Sequence, residues 1–133
     1  MTTIGIICEY DPFHRGHAHQ FAEIRRIFPD AAIICLMSGC FTQRGLPALF
    51  SPSVRAAAAL ENGADLVLEL PTAFAVRDAE HFALGGVSIL ERLGFVDYLS
   101  FGTEDELSVL KPAAELLEDP EAEQAEVDAM GEK

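Results

Sequence analysis

The chain has 133 residues, half of them hydrophobic, and carries a formal net charge of −13. This length suffices for one compact domain without a stabilising disulfide or metal. The acidic charge argues against an RNA-binding surface, because Lys and Arg supply most of the affinity for phosphate backbones. The apolar runs are much shorter than a membrane span, the three cysteines lack CxxC spacing, and no leader-like segment opens the chain. We therefore expect a reduced, cytoplasmic protein without a membrane segment.

Apolar, β-rich runs alternate with helical patterns along most of the chain. Strands are predicted at residues 4–8, 31–37, 66–70 and 98–101, and helices at about 17–28, 52–62 and 78–93. Ser51 and Pro52 form an N-cap and first-turn pair before the second helix, and Gly63 and Gly94 terminate the second and third helices. Repeated βα alternation predicts an α/β fold, a Rossmann-like parallel sheet with helices on both faces.

Residues 103–133 differ in composition from the preceding part. They contain 2 Lys or Arg against 11 Asp or Glu, a net charge of −9, whereas residues 1–102 contain 7 against 11, a net charge of −4. Leu107, Leu110, Leu116 and Leu117 indicate a helix interrupted near Pro112, followed by an acidic stretch with little to bury. We predict a domain over residues 1–104 and an acidic C-terminal segment over residues 105–133.

The pattern HxGH, from His14 to His17, joins the first predicted strand to the first predicted helix. Ligands of parallel α/β sheets bind beyond the carboxyl ends of the strands, where a helix N-terminus offers unpaired N–H groups and a positive dipole end. Gly16 permits close backbone approach, and imidazoles three residues apart converge on one anion. This arrangement favours an ATP site that stabilises charge growing at the α-phosphate. The alternative is that His14 is a turn residue and His17 a helix cap, but the position at this junction favours the functional interpretation.

Two further clusters follow predicted strands. Ser38 and Arg44 lie after the second strand and are candidate substrate-pocket residues, with an ordinary loop cation an equal alternative for Arg44. Gly102, after the fourth strand, would let a base or ribose pack on bare backbone, and we expect its loop to share a cleft with the HxGH loop. His81 is predicted to be a satisfied, partly buried helix residue.

Other residue types do not indicate a metal site. Cys8 and Cys35 fall inside predicted strands, where a small buried hydrophobe is the expected role, and Cys40 falls in a loop. We found no cluster of metal ligands, no Walker loop and no GxSxG motif.

Four blocks in order, at residues 5–17, 37–45, 63–71 and 101–104, resemble the bacterial tRNA(Met) cytidine acetate ligase family of the HxGH nucleotidylyltransferase superfamily. The resemblance implies that acetate is activated with ATP as acetyl-adenylate and that the acetyl group passes to N4 of the wobble cytidine of elongator tRNA(Met). It implies ATP as co-substrate, accompanied by Mg²⁺, with catalytic roles for His14 and His17. The ATP contacts that it implies are Ile7, Cys8, Glu9, Tyr10, Asp11, Pro12, Phe13, His14, Arg15, Gly16, His17, Ala18, His19, Gln20 and Gly102.

The chain departs from the family pattern at Asp11, Arg15 and Cys40, where Asn is usual. Family members run to several hundred residues, and their later part is expected to supply further ATP contacts and the tRNA surface. Two other functions remain open: a nucleotidylyltransferase that joins AMP to a phosphorylated cofactor precursor such as pantetheine phosphate, and a catalytically silent nucleotide-binding module.

Overall fold

The computed structural model describes residues 1–103, 108 and 110–112. The chain divides after Phe101 into a first unit that holds the sheet and a second unit that begins at Gly102. Residues 108 and 110–112 are helical. The rest of the predicted C-terminal helix, with Leu107, Leu116 and Leu117, and the acidic stretch lie outside the described residues.

Strands and helices alternate in the first unit, as the sequence predicts. In chain order they are β1 (Thr3–Cys8), α1 (Arg15–Ile27), β2 (Ala32–Ser38), α2 (Pro52–Glu61), β3 (Leu66–Leu70), α3 (Thr72–Ala75), α4 (Ala79–Arg92) and β4 (Tyr98–Leu99). The four strands form one parallel sheet in the order β3-β2-β1-β4. The predicted parallel α/β fold is confirmed, and β1 lies inside the sheet between β2 and β4.

Helices cover both faces of this sheet because successive side chains of a strand point to opposite sides. On one face, Ile33 and Cys35 pack with Phe21 of α1 and Ala59 of α2. On the other face, Ile34 and Leu36 pack with Ala75 of α3 and Leu90 of α4. A strand buried on both sides has no polar face, which explains why β1 and β2 read as continuous apolar runs.

Helices α2 and α4 end close to the capping residues that the sequence indicates. Ser51 accepts a hydrogen bond from the Val54 N–H, and Gly63 and Gly94 have positive φ values of 114° and 73° after α2 and α4. Helix α1 begins at Arg15, two residues before the predicted start, because the His14 side chain caps it. The four-residue helix α3 was missed, since a single turn shows no periodicity.

Strand β4 is only two residues long, shorter than predicted. The expectation that His81 is partly buried is wrong: its side chain is 48% exposed. It is nevertheless satisfied, because its Nδ1 lies 2.7 Å from Oδ1 of Asp78, the N-cap of α4.

The amino edge of the sheet is stabilised by Arg25 of α1. Its guanidinium donates to the carbonyl oxygens of Ala31 and Gly63 and to Asp65 Oδ2, which also accepts from the Ile33 N–H. An open cavity of about 310 Å³ lies at the same edge, between Met1 and the turn at residues 27–31. No helix within the described ranges is long and apolar enough to cross a membrane.

Candidate active site

The HxGH segment lies at the point where the sheet changes direction. The chain places β2 and β3 on one side of β1 and then returns to place β4 on the other. In open α/β sheets such a switch point leaves a crevice beyond the carboxyl ends of the strands, where ligands bind. Helix α1 begins directly after the loop that leaves β1 at this edge.

His14 and His17 cap helix α1 reciprocally. His14 Nδ1 accepts the Gly16 N–H (3.1 Å), and His17 Nδ1 accepts the His14 N–H (3.1 Å). The two rings are stacked, with centroids 3.7 Å apart and planes at 22°. A ring nitrogen that accepts from a backbone N–H carries no proton, so each neutral ring carries its proton on Nε2. The residues that the structure describes offer neither Nε2 a hydrogen-bond partner.

This cap changes which donors face a ligand. The Gly16 N–H is taken by His14 Nδ1, and the His17 and Ala18 N–H groups donate to His14 O. The expectation of several unpaired N–H groups at the helix start is therefore corrected. The two Nε2–H groups are side-chain donors that the cap leaves available, so capping and ligand binding are compatible roles for the same histidines.

The position of the His14 ring leaves no room for a side chain at residue 16. A Cβ at Gly16 would lie 2.9 Å from His14 Cε1 and 3.1 Å from His14 Nδ1. The ring folds back over the first turn of the helix, and only a residue without a side chain leaves room for it there. The glycine thus keeps His14 in its capping position.

The aromatic rings of Tyr10 and Phe13 contact the His17 ring. The buried Tyr10, with a positive φ of 49°, places its ring centroid 4.6 Å from that of His17 and 4.9 Å from that of Phe13. The Tyr10 hydroxyl contacts Cys35 Sγ at 3.6 Å. Burial, and then the neighbouring His14, lowers the pKa of His17, so the neutral form is favoured. Burial raises the pKa of the Tyr10 hydroxyl and of the Cys8 thiol, and both stay protonated.

The two acidic residues of the segment stabilise the neighbouring loop at residues 39–51. Glu9 Oε2 accepts from Ser38 Oγ (3.1 Å) and from the Gln43 N–H (2.8 Å). The Asp11 carboxylate accepts from the N–H groups of Leu49 (2.8 Å) and Phe50 (3.0 Å). Two backbone donors thus engage the carboxylate that replaces the usual Asn.

The remaining predicted site residues occupy different environments. Ser38 is fully buried and its hydroxyl is used by Glu9, whereas Arg44 is exposed beside Gly45, so the two share no surface. Gly102 is exposed and belongs to the second unit. A direct contact of any of these residues with substrate or nucleotide stays a prediction.

Within the predicted ATP segment the side chains divide by burial. Ile7 and Cys8 point into the two cores, so only their backbone is available to a ligand. Gln20 Nε2 donates to Ser100 Oγ (3.0 Å), which joins α1 to the residue after β4. The exposed members of the segment are Pro12, His14, Arg15, Gly16 and His19.

Arg55 of α2 was not predicted from the sequence. It is 1% exposed, and its guanidinium donates to Glu9 O (2.6 Å) and to Ser38 O (3.0 Å). It also donates to Gly39 O and to Phe50 O. Its spacing was a usable signal, because Arg55 lies four residues before the buried Ala59 and therefore on the same helix face.

In the portion of the chain that the structure describes, no group of three or more His, Cys, Asp or Glu could hold a metal ion. The candidate site combines two imidazole donors, a helix N-terminus and the topological switch point of a parallel sheet. These features define an α/β domain of the nucleotide-binding class.

Comparison with known proteins agrees with this class. The chain belongs to the HIGH Nucleotidyl Transferase family, whose model matches residues 1–130. It is 47% identical over 118 residues to the tRNA(Met) cytidine acetate ligase of Halothermothrix orenii, covering 88% of this chain and 28% of that protein. The ligase of Acetivibrio thermocellus is 44% identical over 124 residues, covering 92% and 30%.

A solved structure extends the agreement to the fold. Thermotoga maritima TmcAL bound with alpha-thio ATP matches with a TM-score of 0.82 and 41% identity, over 88% of this chain and 28% of that one. The chain spans less than a third of the length of these relatives and matches their N-terminal part. The family resemblance read from the sequence is confirmed.

Proposed function

We propose that this chain is the ATP-binding part of a tRNA(Met) cytidine acetate ligase. The pair of Nε2–H donors, held by the reciprocal cap at the switch point, carries the proposal. The names of the relatives and the ATP analogue bound to the Thermotoga protein support it. In this proposal the segment from Ile7 to Gln20 surrounds ATP, and residues 1–104 form the nucleotide-binding domain.

The proposed first reaction is the adenylation of acetate. A carboxylate oxygen of acetate attacks the α-phosphorus of ATP, the bond to the β-phosphate breaks, and pyrophosphate leaves. Negative charge grows on the non-bridging α-phosphate oxygens, where fixed neutral N–H donors stabilise it without acting as nucleophiles. His14 and His17 are the donors that we assign to this charge, with the positive end of the α1 dipole behind them.

The proposed second reaction transfers the acetyl group. N4 of the wobble cytidine attacks the carbonyl carbon of acetyl-adenylate, the bond to the phosphate oxygen breaks, AMP leaves, and N4 loses one proton to solvent. Mg²⁺ is proposed to accompany the triphosphate. The acetate pocket, with Ser38 and Arg44 as candidates, the tRNA surface and a cytoplasmic location belong to the same proposal for the whole protein.

The test measures acetate-dependent pyrophosphate release by the full-length ligase that carries this chain. Loss of one preorganised donor typically costs about 10² to 10³ in rate, about 2.7 to 4 kcal/mol. We expect His14→Ala and His17→Ala each to lose about that much while circular dichroism shows an intact fold. His81→Ala is the matched control, because His81 is exposed on α4 and bonds only Asp78, and its turnover should stay at the wild-type level.

Other outcomes would overturn the proposal. Near-wild-type turnover of both histidine variants would make the HxGH segment structural. Pyrophosphate release that requires a phosphorylated cofactor precursor instead of acetate would indicate a nucleotidylyltransferase. Absence of pyrophosphate release from folded wild-type protein with every co-substrate would indicate a silent nucleotide-binding module.

A further inference from the structure

The carboxyl ends of β1 and β2 present backbone carbonyl groups at the proposed phosphate site. The oxygen of a carbonyl carries the negative end of its dipole, so a row of such groups opposes the approach of a triphosphate. Glu9 follows β1, and Ser38 and Gly39 stand at the end of β2. A protein that binds phosphate at this edge must offset these three carbonyl oxygens.

Arg55 bonds all three of them. Its guanidinium donates to Glu9 O (2.6 Å), Ser38 O (3.0 Å) and Gly39 O. Its Nε donates to Phe50 O (3.0 Å), the residue just before the N-cap of α2. One side chain thereby connects the start of the HxGH loop, the end of β2 and the start of α2.

Arg55 forms no ion pair within the described part of the chain, although the Glu9 carboxylate bonds Ser38 Oγ next to it and the Glu69 carboxylate lies beside Gly39. The ion pairs found across the described residues are Arg25–Asp65, Arg26–Glu23 and His81–Asp78, and none includes Arg55. Arginine stays protonated in proteins, and burial of a cation without a partner carboxylate is costly. The four carbonyl groups that accept from Arg55 stabilise its charge, and the charge in turn offsets their dipoles at this edge of the sheet.

We propose that Arg55 is a positioning residue whose permanent charge makes the carboxyl edge of β1 and β2 favourable for the phosphates of ATP. The inference rests on the ATP binding proposed above. The charge acts through the carbonyl groups that it holds, and the guanidinium is too buried to contact the nucleotide itself. Its contribution should therefore grow with the number of phosphates on the ligand and leave adenosine binding largely unchanged.

Arg25 is a matched control within the same sheet. It also donates to two backbone carbonyl oxygens, those of Ala31 and Gly63, but at the amino edge, and Asp65 balances its charge. A substitution of Arg25 removes a comparable set of hydrogen bonds away from the proposed phosphate site. Comparison of the two arginines separates a general loss of stability from an effect on phosphate binding.

The experiment titrates ATP and adenosine separately into the 133-residue chain and follows amide shifts by NMR. The wild-type chain should bind ATP with an affinity near millimolar, about −4 kcal/mol for a partial site. In Arg55→Gln the preference for ATP over adenosine should fall about tenfold, equivalent to about 1.4 kcal/mol. Arg25→Gln should keep the preference within about threefold, because Arg25 lies at the amino edge of the sheet.

Each result decides the inference. An unchanged preference in folded Arg55→Gln, or an equal loss in Arg25→Gln, would overturn it. If Arg55→Gln unfolds, all titrations are repeated with trimethylamine N-oxide, which favours the compact state. Absence of ATP binding by the folded wild-type chain would instead count against the proposed function of this chain.

Discussion

Each histidine of the HxGH pair uses one ring nitrogen for the fold and leaves the other for a ligand. The Nδ1 atoms accept backbone N–H groups, which fixes the tautomer that keeps Nε2 protonated. Gly16 leaves room for this geometry, and the Tyr10 ring contacts the His17 ring at a tilted angle. The spacing of the motif therefore serves the helix cap and the proposed phosphate site together.

The lowered pKa of His17 predicts how stability depends on pH. Because the folded state disfavours protonated His17, the unfolded state binds more protons between the lowered folded pKa and the ordinary value of 6.5. Stability from His17 is thus fully present above the ordinary value and is lost as the pH falls towards the folded pKa. Urea unfolding between about pH 7.5 and about pH 5 should show this loss.

His17→Gln tests the same prediction. Glutamine at this helix position accepts the N-cap N–H as imidazole does but does not titrate. The variant should therefore show a shallower loss of stability on acidification than wild type. His19→Gln, on the exposed part of α1, should keep the wild-type slope. Equal slopes in wild type and His17→Gln would contradict the assignment.

At the scale of elements, the loop over residues 39–51 is bound to the loop that follows β1. Glu9 accepts from Ser38 and Gln43, and Asp11 accepts from the backbone of Leu49 and Phe50. Two consecutive strand-to-helix connections are thereby joined at the carboxyl edge of the sheet. The loop after β2 orders the HxGH segment, although it contains neither histidine.

Asp11→Asn should weaken this junction. A carboxylate presents one oxygen to each of the two N–H groups, whereas an Asn side chain has a single carbonyl oxygen. We expect the free energy of unfolding to fall by about 0.5 to 1.5 kcal/mol, the net value of one hydrogen bond. Urea denaturation measures it, with Asp30→Asn in the exposed turn before β2 as control. A loss no larger than that of the control would show that Leu49 and Phe50 do not depend on the charge.

At the scale of the whole molecule, the chain matches the N-terminal part of proteins more than three times its length. Its net charge of −13 does not suit a polyanion surface. In the proposed ligase, the basic surface for tRNA is therefore expected from the part of the protein that this chain does not match. The nucleotide contact that the resemblance assigns to Gly102 is testable within the chain.

Gly102→Leu should lower ATP affinity without lowering stability. Among the residues that the structure describes, none has an atom within 4 Å of a Cβ built at Gly102, so we expect a larger side chain to be accommodated in the free protein. If the base or ribose packs on this backbone, the leucine occupies its place and ATP affinity should fall at least about tenfold. NMR titrations with ATP and with inorganic tripolyphosphate separate contacts to the base and ribose from contacts to the phosphates. Tripolyphosphate binding should be unchanged in Gly102→Leu. Unaltered ATP binding would remove Gly102 from the site.

Local pattern in the sequence determined the order of the strands and of the three longer helices, both histidines of the candidate site and the family. These features depend on residues close together in the chain, such as the βα alternation, the N-cap Ser51 and the four-residue HxGH pattern. Such local patterns can be recognised in the sequence without knowledge of the fold.

Only the tertiary structure decided what Arg55, Asp11 and the imidazole Nδ1 atoms bind. Arg55 and its acceptor Glu9 are 46 residues apart, and Asp11 and Leu49 are 38 residues apart. The spacing of Arg55 and Ala59 is compatible with one buried helix face, but no local pattern identifies the carbonyl groups that two parallel strands bring to one edge. The folded sheet selects these partners, because a buried charge must be satisfied by whatever polar groups the neighbouring elements present.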